Sequence, residues 1–197
     1  MQAHPGVADQ GAVDPRVART RATVLAAAAD LLAEHGFERV TIDGIAERSG
    51  VARSTIYRNW PCRGGLLVDA FDRLAAAPEL PDTGSFADDL RAMGTKFCTA
   101  LRSSPWSRVL PSLLAAAEHD PEIRGALATF AAARRTTLRT VFERAQARGE
   151  LQEGVDLDAA VLRFAAPFFY RRLFTTDELD ATVVETEVQA TLAVTTR

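Results

Sequence analysis

Apolar side chains recur along this chain at spacings of three and four residues, the period of helices that each bury one face. Val24, Leu25, Ala28, Leu31 and Leu32 form a first stripe, closed by Gly36 with Phe37 behind it. Ile42, Ile45 and Ala46 form a short second one, and Leu66, Leu67, Ala70, Phe71 and Leu74 line a helix expected over 63–77. The pattern resumes with Phe86, Leu90, Met93, Phe97 and Leu101, then with Leu110, Leu113, Leu114 and Ala117 after Pro105. Pro121 opens a long helix carrying Ile123, Leu127, Phe130, Leu138, Val141, Phe142 and Ala145, ended by Gly149. A helix over 157–175 follows, capped by Asp156 or Asp158, and a last one from about 178 holds Val183, Val184, Val188 and Leu192. The fold expected is all-α, with about nine helices.

One stretch departs from the stripe pattern. Between Ala52 and Trp60 only Ile56, and in part Tyr57 and Trp60, have packing character, while Arg53, Ser54, Thr55, Arg58 and Asn59 are polar. A helix here has a narrow buried row and a face crowded with hydrogen-bond donors. Its surroundings are ordered. Thr41 can cap the preceding helix through its hydroxyl. Gly50 suits the left-handed turn that ends it, Val51 packs between the two helices, and Pro61 stops the second. A polar helix face alone is usually just solvated. A capped helix, glycine turn, polar helix and proline stop within this length instead describe a helix-turn-helix, whose second helix suits a DNA major groove. Arginine can reach a guanine edge there with two hydrogens, and hydroxyls and amides reach bases or phosphates.

The run Thr41-Ile42, Ile45 to Val51, Ser54 to Arg58, Pro61 and Leu66-Leu67 resembles the DNA-binding domain of the TetR family of transcriptional regulators. The resemblance covers the chain from about Arg16 to Phe71. It implies a DNA-reading set of Thr41, Arg53, Ser54, Thr55, Tyr57, Arg58, Asn59 and Arg63, with Arg63 standing where family members carry a phosphate-binding lysine. Arg16, Arg19 and Arg21, early in the first helix, are further phosphate candidates. Ala52 departs from the family by lacking a capping hydroxyl, Asn59 replaces a frequent histidine, and Trp60 a frequent phenylalanine.

The resemblance further implies a homodimer built on the last two long helices. That helix pair holds Phe164, Phe168, Phe169, Val184 and Val188, and the first of the two is apolar around most of its middle. It also implies a cavity for a small effector, for which Met93, Phe97, Trp106, Leu110, Leu113 and Phe130 are the candidate lining. The organisation expected is a flexible arm at 1–15, a DNA-binding domain at 16–62, a connecting helix at 63–77, and an effector and dimerisation domain at 78–197. The mechanism implied is that of a repressor on a palindromic double-stranded operator, released when a small molecule favours another arrangement of the connecting helix.

Charge sharpens this picture locally rather than globally. The chain as a whole carries a formal charge of −3, which argues against a general nucleic-acid coat. From Arg16 to Arg63, however, eight arginines face five carboxylates, so one end is suited to DNA and the other is not. Cys62 and Cys98 match no metal or redox spacing and suit a reducing cytoplasm. No stretch reads as a membrane span or a signal peptide. An enzyme or a helical adaptor without DNA are the competing classes. His4, His35 and His119 form no recognisable relay, no Gly-rich phosphate loop occurs, and neither a metal nor a cofactor is expected.

Overall fold

The computed structural model describes residues 15–75 and 79–196. Among them the chain forms nine α-helices and no strand. These are α1 (Pro15–His35), α2 (Ile42–Ser49), α3 (Arg53–Asn59), α4 (Arg63–Leu74), α5 (Phe86–Ser103), α6 (Pro105–His119), α7 (Pro121–Ala147), α8 (Leu157–Phe174) and α9 (Ala181–Thr195). The arm expected at 1–15 lies outside the described residues except for Pro15, as does the end of the helix expected over 63–77.

Helix starts follow from local chemistry. Three aspartates supply the acceptors that the first amides of a helix lack. Asp120 receives Glu122 N at 2.9 Å, Asp156 receives Asp158 N at 3.0 Å, and Asp180 receives Thr182 N at 3.0 Å. The cap on Asp180 sets the start of α9 at Ala181 rather than near 178. α6 begins at Pro105, because a proline has no amide to leave unpaired in a first turn. Pro111 and Pro167 sit inside α6 and α8. A proline within a helix frees the carbonyl four residues earlier. For Pro111 that carbonyl is Ser107's, and it accepts from Arg172 Nη2 at 3.4 Å.

The buried side chains form two cores. The first joins α1–α4 to α6 and the start of α7, from Val24 and Ile56 to Leu113 and Ile123. The second joins α5, the end of α7, α8 and α9, from Phe86 to Val188. Trp106 and Phe169 pack against both. The apolar cores therefore do not divide at residue 78, because α4 shares its core with α6 and α7.

The side chains expected at a dimer contact need correcting. Phe164, Phe168, Val184 and Val188 are at most 6% exposed and belong to the second core of their own chain, and Phe169 is half-buried. Enclosed in their own chain, those four present little surface to a partner. The apolar positions that α8 and α9 turn outward are Leu162, Tyr170, Phe174 and Val194.

Candidate nucleic-acid interface

α2 and α3 are held as the sequence pattern requires. Thr41 Oγ1 accepts from Gly44 N at 3.1 Å and caps α2. Gly50 closes it at φ 67°, a left-handed conformation that a side chain would strain. α3 has no side-chain cap at Ala52. Its single buried residue is Ile56, which anchors the helix on the first core.

The opposite face of α3 is open. Arg53, Ser54, Tyr57 and Arg58 are exposed, Thr55 and Asn59 half-buried, and Thr41 is exposed at the adjacent end of α2. Tyr57 is 44% exposed although it is a large aromatic, so its ring and hydroxyl are presented outward rather than packed. Arg53 pairs with Asp43 at 2.8 Å, both side chains being solvated. Such a surface pair contributes little and leaves the guanidinium able to move to another anion. Asn59 Nδ2 donates back to the Thr55 carbonyl at 2.8 Å, which occupies one of its two amide hydrogens.

Arg63 is placed differently from the outward position its phosphate role implies. Its Nε donates to the Val40 carbonyl at 2.6 Å, and Nη2 reaches the carbonyls of Phe37 and Glu38. The guanidinium also lies 5.0 Å from the Phe37 ring centre. Burial pulls its pKa below the ordinary arginine value. In this conformation Arg63 fastens the α1–α2 connection to α4.

A second brace was not visible in the sequence. Trp60 Nε1 donates to Asp69 Oδ2 at 2.7 Å, and Arg21 lies over the Trp60 ring at 4.3 Å while its Nη1 donates to the Asn59 carbonyl. Arg21 also pairs with Asp69 at 3.4 Å. One cluster thus ties α1, the end of α3 and α4 together. Arg48 does the same for α2 and α1 through two 2.8 Å hydrogen bonds to Glu34. These partners are 9 to 48 residues apart, so no local pattern announces them.

The candidate effector residues divide between the two cores. Leu110, Leu113 and Phe130 pack with the first core and Met93 and Phe97 with the second, while Trp106 touches both. Their rings are in contact with neighbours, Phe130 with Phe71 at 5.2 Å and Phe97 with Phe168 at 5.6 Å. Cys62 acts as a cap, its Sγ accepting from Gly65 N at 3.3 Å. A hydrogen bond to Glu122 raises its thiol pKa, which disfavours the reactive thiolate. Among the described residues no three His, Cys, Asp or Glu side chains gather as a metal site, and no helix is long and apolar enough to cross a membrane.

Comparison with known proteins agrees with this geometry over nearly the whole chain. Residues 24–70 match the family described as bacterial regulatory proteins, tetR family, and residues 80–191 match the tetracyclin repressor-like C-terminal domain. The HTH-type transcriptional regulator YdeS of Bacillus subtilis is 35% identical over 176 residues, 86% of each chain. The DNA-binding transcriptional repressor TetR of Mycobacteroides abscessus is 32% identical over 149 residues, 74% of this chain and 76% of that one. The crystal structure of the TetR family transcription regulator SCO0332 superposes with a TM-score of 0.78 at 28% identity, over 89% of this chain and 97% of that one. A donor-studded α3 on a capped helix-turn-helix, joined to a C-terminal half of the matching kind, makes this chain a member of the TetR family of transcriptional regulators.

Proposed function

We propose that this regulator is a repressor that binds a palindromic DNA operator as a homodimer and leaves it when a small molecule binds. The observation that carries the proposal is α3. It has one buried residue and an outward row of Arg53, Ser54, Tyr57 and Arg58. Arg53, Tyr57 and Arg58 would read or grip the major groove, Ser54, Thr55 and Asn59 would support them, and Thr41 would reach a phosphate beside α2. Two such helices about 34 Å apart would enter successive grooves on one face of the duplex.

In this reading the DNA-binding domain spans 16–62, α4 is the connecting element, and the remainder serves effector binding and pairing. The pairing face is the outward side of α8 and α9, at Leu162, Tyr170, Phe174 and Val194. Met93, Phe97, Trp106, Leu110, Leu113 and Phe130 would part to admit an apolar effector between the two cores. With DNA as its partner the protein would act in the cytoplasm, and its role would be regulation rather than catalysis.

A mobility-shift assay on the region upstream of its own gene tests the proposal. The parent should shift the fragment. Arg53→Ala and Tyr57→Ala should each weaken binding by roughly 10- to 100-fold, the worth of one good base contact, with circular dichroism unchanged. Variants that bind as well as the parent would remove α3 from the interface.

A further inference from the structure

At the end of α8 the chain carries a cleft of a different character from the apolar cores. The last turn of α8, the connection at 175–180 and Arg102 of α5 surround a volume of about 310 Å³. Three of its lining residues are arginines, Arg102, Arg171 and Arg172.

These guanidinium groups are not equally engaged. Arg172 Nε donates to the Leu101 carbonyl and to Ser107 Oγ, both at 3.0 Å, and Nη2 takes the Ser107 carbonyl that Pro111 leaves open. Arg172 is therefore a brace at the α5–α6 corner, and no carboxylate pairs with it among the described residues. Among the described residues Arg102 reaches only the Leu179 carbonyl, at 3.5 Å, the outer limit of a hydrogen bond. Arg171 pairs with Glu187 at 3.2 Å and more loosely with Asp177 at 3.7 Å. Its Nε is buried and has no acceptor, the one such side-chain atom among the described residues.

A buried cationic N–H without an acceptor is rare, because its lost hydration is not replaced. Guanidinium groups sharing one cleft also repel unless negative charge sits among them. Asp177 and Glu178 line the same cleft and supply some. Both are exposed residues of the connection, and the Asp177 contact with Arg171 is long. A ligand oxygen could take the place of Asp177 at Nη1 of Arg171, with Arg102 lining the same cleft as a second donor, the charge-assisted pairing that arginine offers carboxylates and phosphates.

We propose that this cleft binds the oxyanion group, carboxylate or phosphate, of a small molecule, with Arg102 and Arg171 as its donors. Its volume lies at the small end of ligand sites. The proposal deepens the effector-responsive reading, and rests on it only for its consequence. Phe169 and Leu173 of α8 pack against the core that holds α1–α4, and Arg172 joins α8 to the start of α6. An occupant of the cleft would bear on the same corner that supports the DNA-binding half.

Thermal melts and calorimetry on the full chain test the site, with inorganic phosphate and succinate as separate probes and sodium chloride holding ionic strength constant. At least one probe should raise the melting temperature saturably. Arg102→Gln and Arg171→Gln should each weaken half-saturation roughly 10-fold, while Arg135→Gln, on another surface, should not. The probe that responds identifies the oxyanion. Arg102→Gln breaks one weak hydrogen bond, so it keeps the test decisive if Arg171→Gln loses stability. No saturable response to either probe, or an equal response in Arg102→Gln, would overturn the site. The same probes added to the operator complex separate the two readings. Anion binding by a chain that never binds DNA would sink the repressor proposal and leave the cleft standing.

Discussion

At Arg63 a charge whose position offers it to a phosphate is drawn inward instead. Three backbone carbonyls, of Phe37, Glu38 and Val40, converge on its guanidinium. Removing it strands part of that set in a half-buried connection, and an unsatisfied buried acceptor costs about 1–3 kcal/mol. Arg63→Ala should therefore lower the denaturation midpoint by an amount in that range. A direct phosphate contact predicts something else, a shallower dependence of DNA affinity on salt, since each neutralised phosphate adds nearly one unit to the slope. The expectation is a lost midpoint with an unchanged salt slope, read by urea unfolding and by fluorescence anisotropy at several salt concentrations. A stable variant with a reduced slope would return Arg63 to the DNA surface. The family position was legible in the sequence. The conformation was not, because its acceptors are backbone atoms more than twenty residues away.

Among the elements, two glycines in helices show what packing adds to propensity. Replacing glycine by alanine inside a helix gains about 0.5–1 kcal/mol where nothing else changes. Gly125 in α7 is exposed, and a Cβ there meets nothing within 4 Å, so Gly125→Ala should stabilise by about that amount. Gly94 in α5 is the opposite case. A Cβ there would lie 2.9 Å from Val184 Cγ1 and 3.3 Å from Phe168 Cζ, both side chains of a closed core. Overpacking costs about 1–3 kcal/mol, which outweighs the helical gain, so Gly94→Ala should lower the thermal midpoint while Gly125→Ala raises it. The same α5–α9 contact carries an ion pair, Arg91 with Glu185 at 2.9 Å. Its hydrogen bond to Arg91, supported by one to Gln189, holds the Glu185 carboxyl down to about 2. Stability from a lowered acid is present above the unfolded value of 4.5 and disappears as pH falls toward 2. Arg91→Gln should thus destabilise the protein at neutral pH, and the two melting curves should converge between those values and also in high salt. A difference that persisted at pH 2 would assign the effect to packing. The nine helices and the caps at Thr41 and Asp156 were readable because period and capping are local, whereas the caps at Asp120 and Asp180 came only with the structure. The depth of each face was not, and α8 shows why: with apolar residues around most of its circumference, Phe164 and Phe168 could not be told from Leu162 and Tyr170 until the second core was in view.

For the molecule as a whole, that ambiguity decides where a second copy would sit. Leu162 at 55%, Tyr170 at 61% and Phe174 at 75% exposure lie on one helix, with Tyr170 and Phe174 stacked at 5.4 Å. Such a run of outward apolar groups is the kind of surface that a partner covers. In the proposed dimer these residues hold two α3 helices at a fixed spacing, and neither reading helix needs to change when the pairing is lost. Leu162→Glu combined with Tyr170→Glu places two charges on this face without touching either core. Folding stability of the separate chain should move by no more than about 0.5 kcal/mol, as for other surface changes. Sedimentation should show the parent as a dimer and the variant as a single chain. Operator affinity should fall on the order of 10²- to 10⁴-fold, because the second head no longer binds at the high effective concentration that linkage provides. A variant that sediments as the parent does would move the pairing surface elsewhere. One that is single-chained yet binds the operator undiminished would mean that a lone α3 carries recognition.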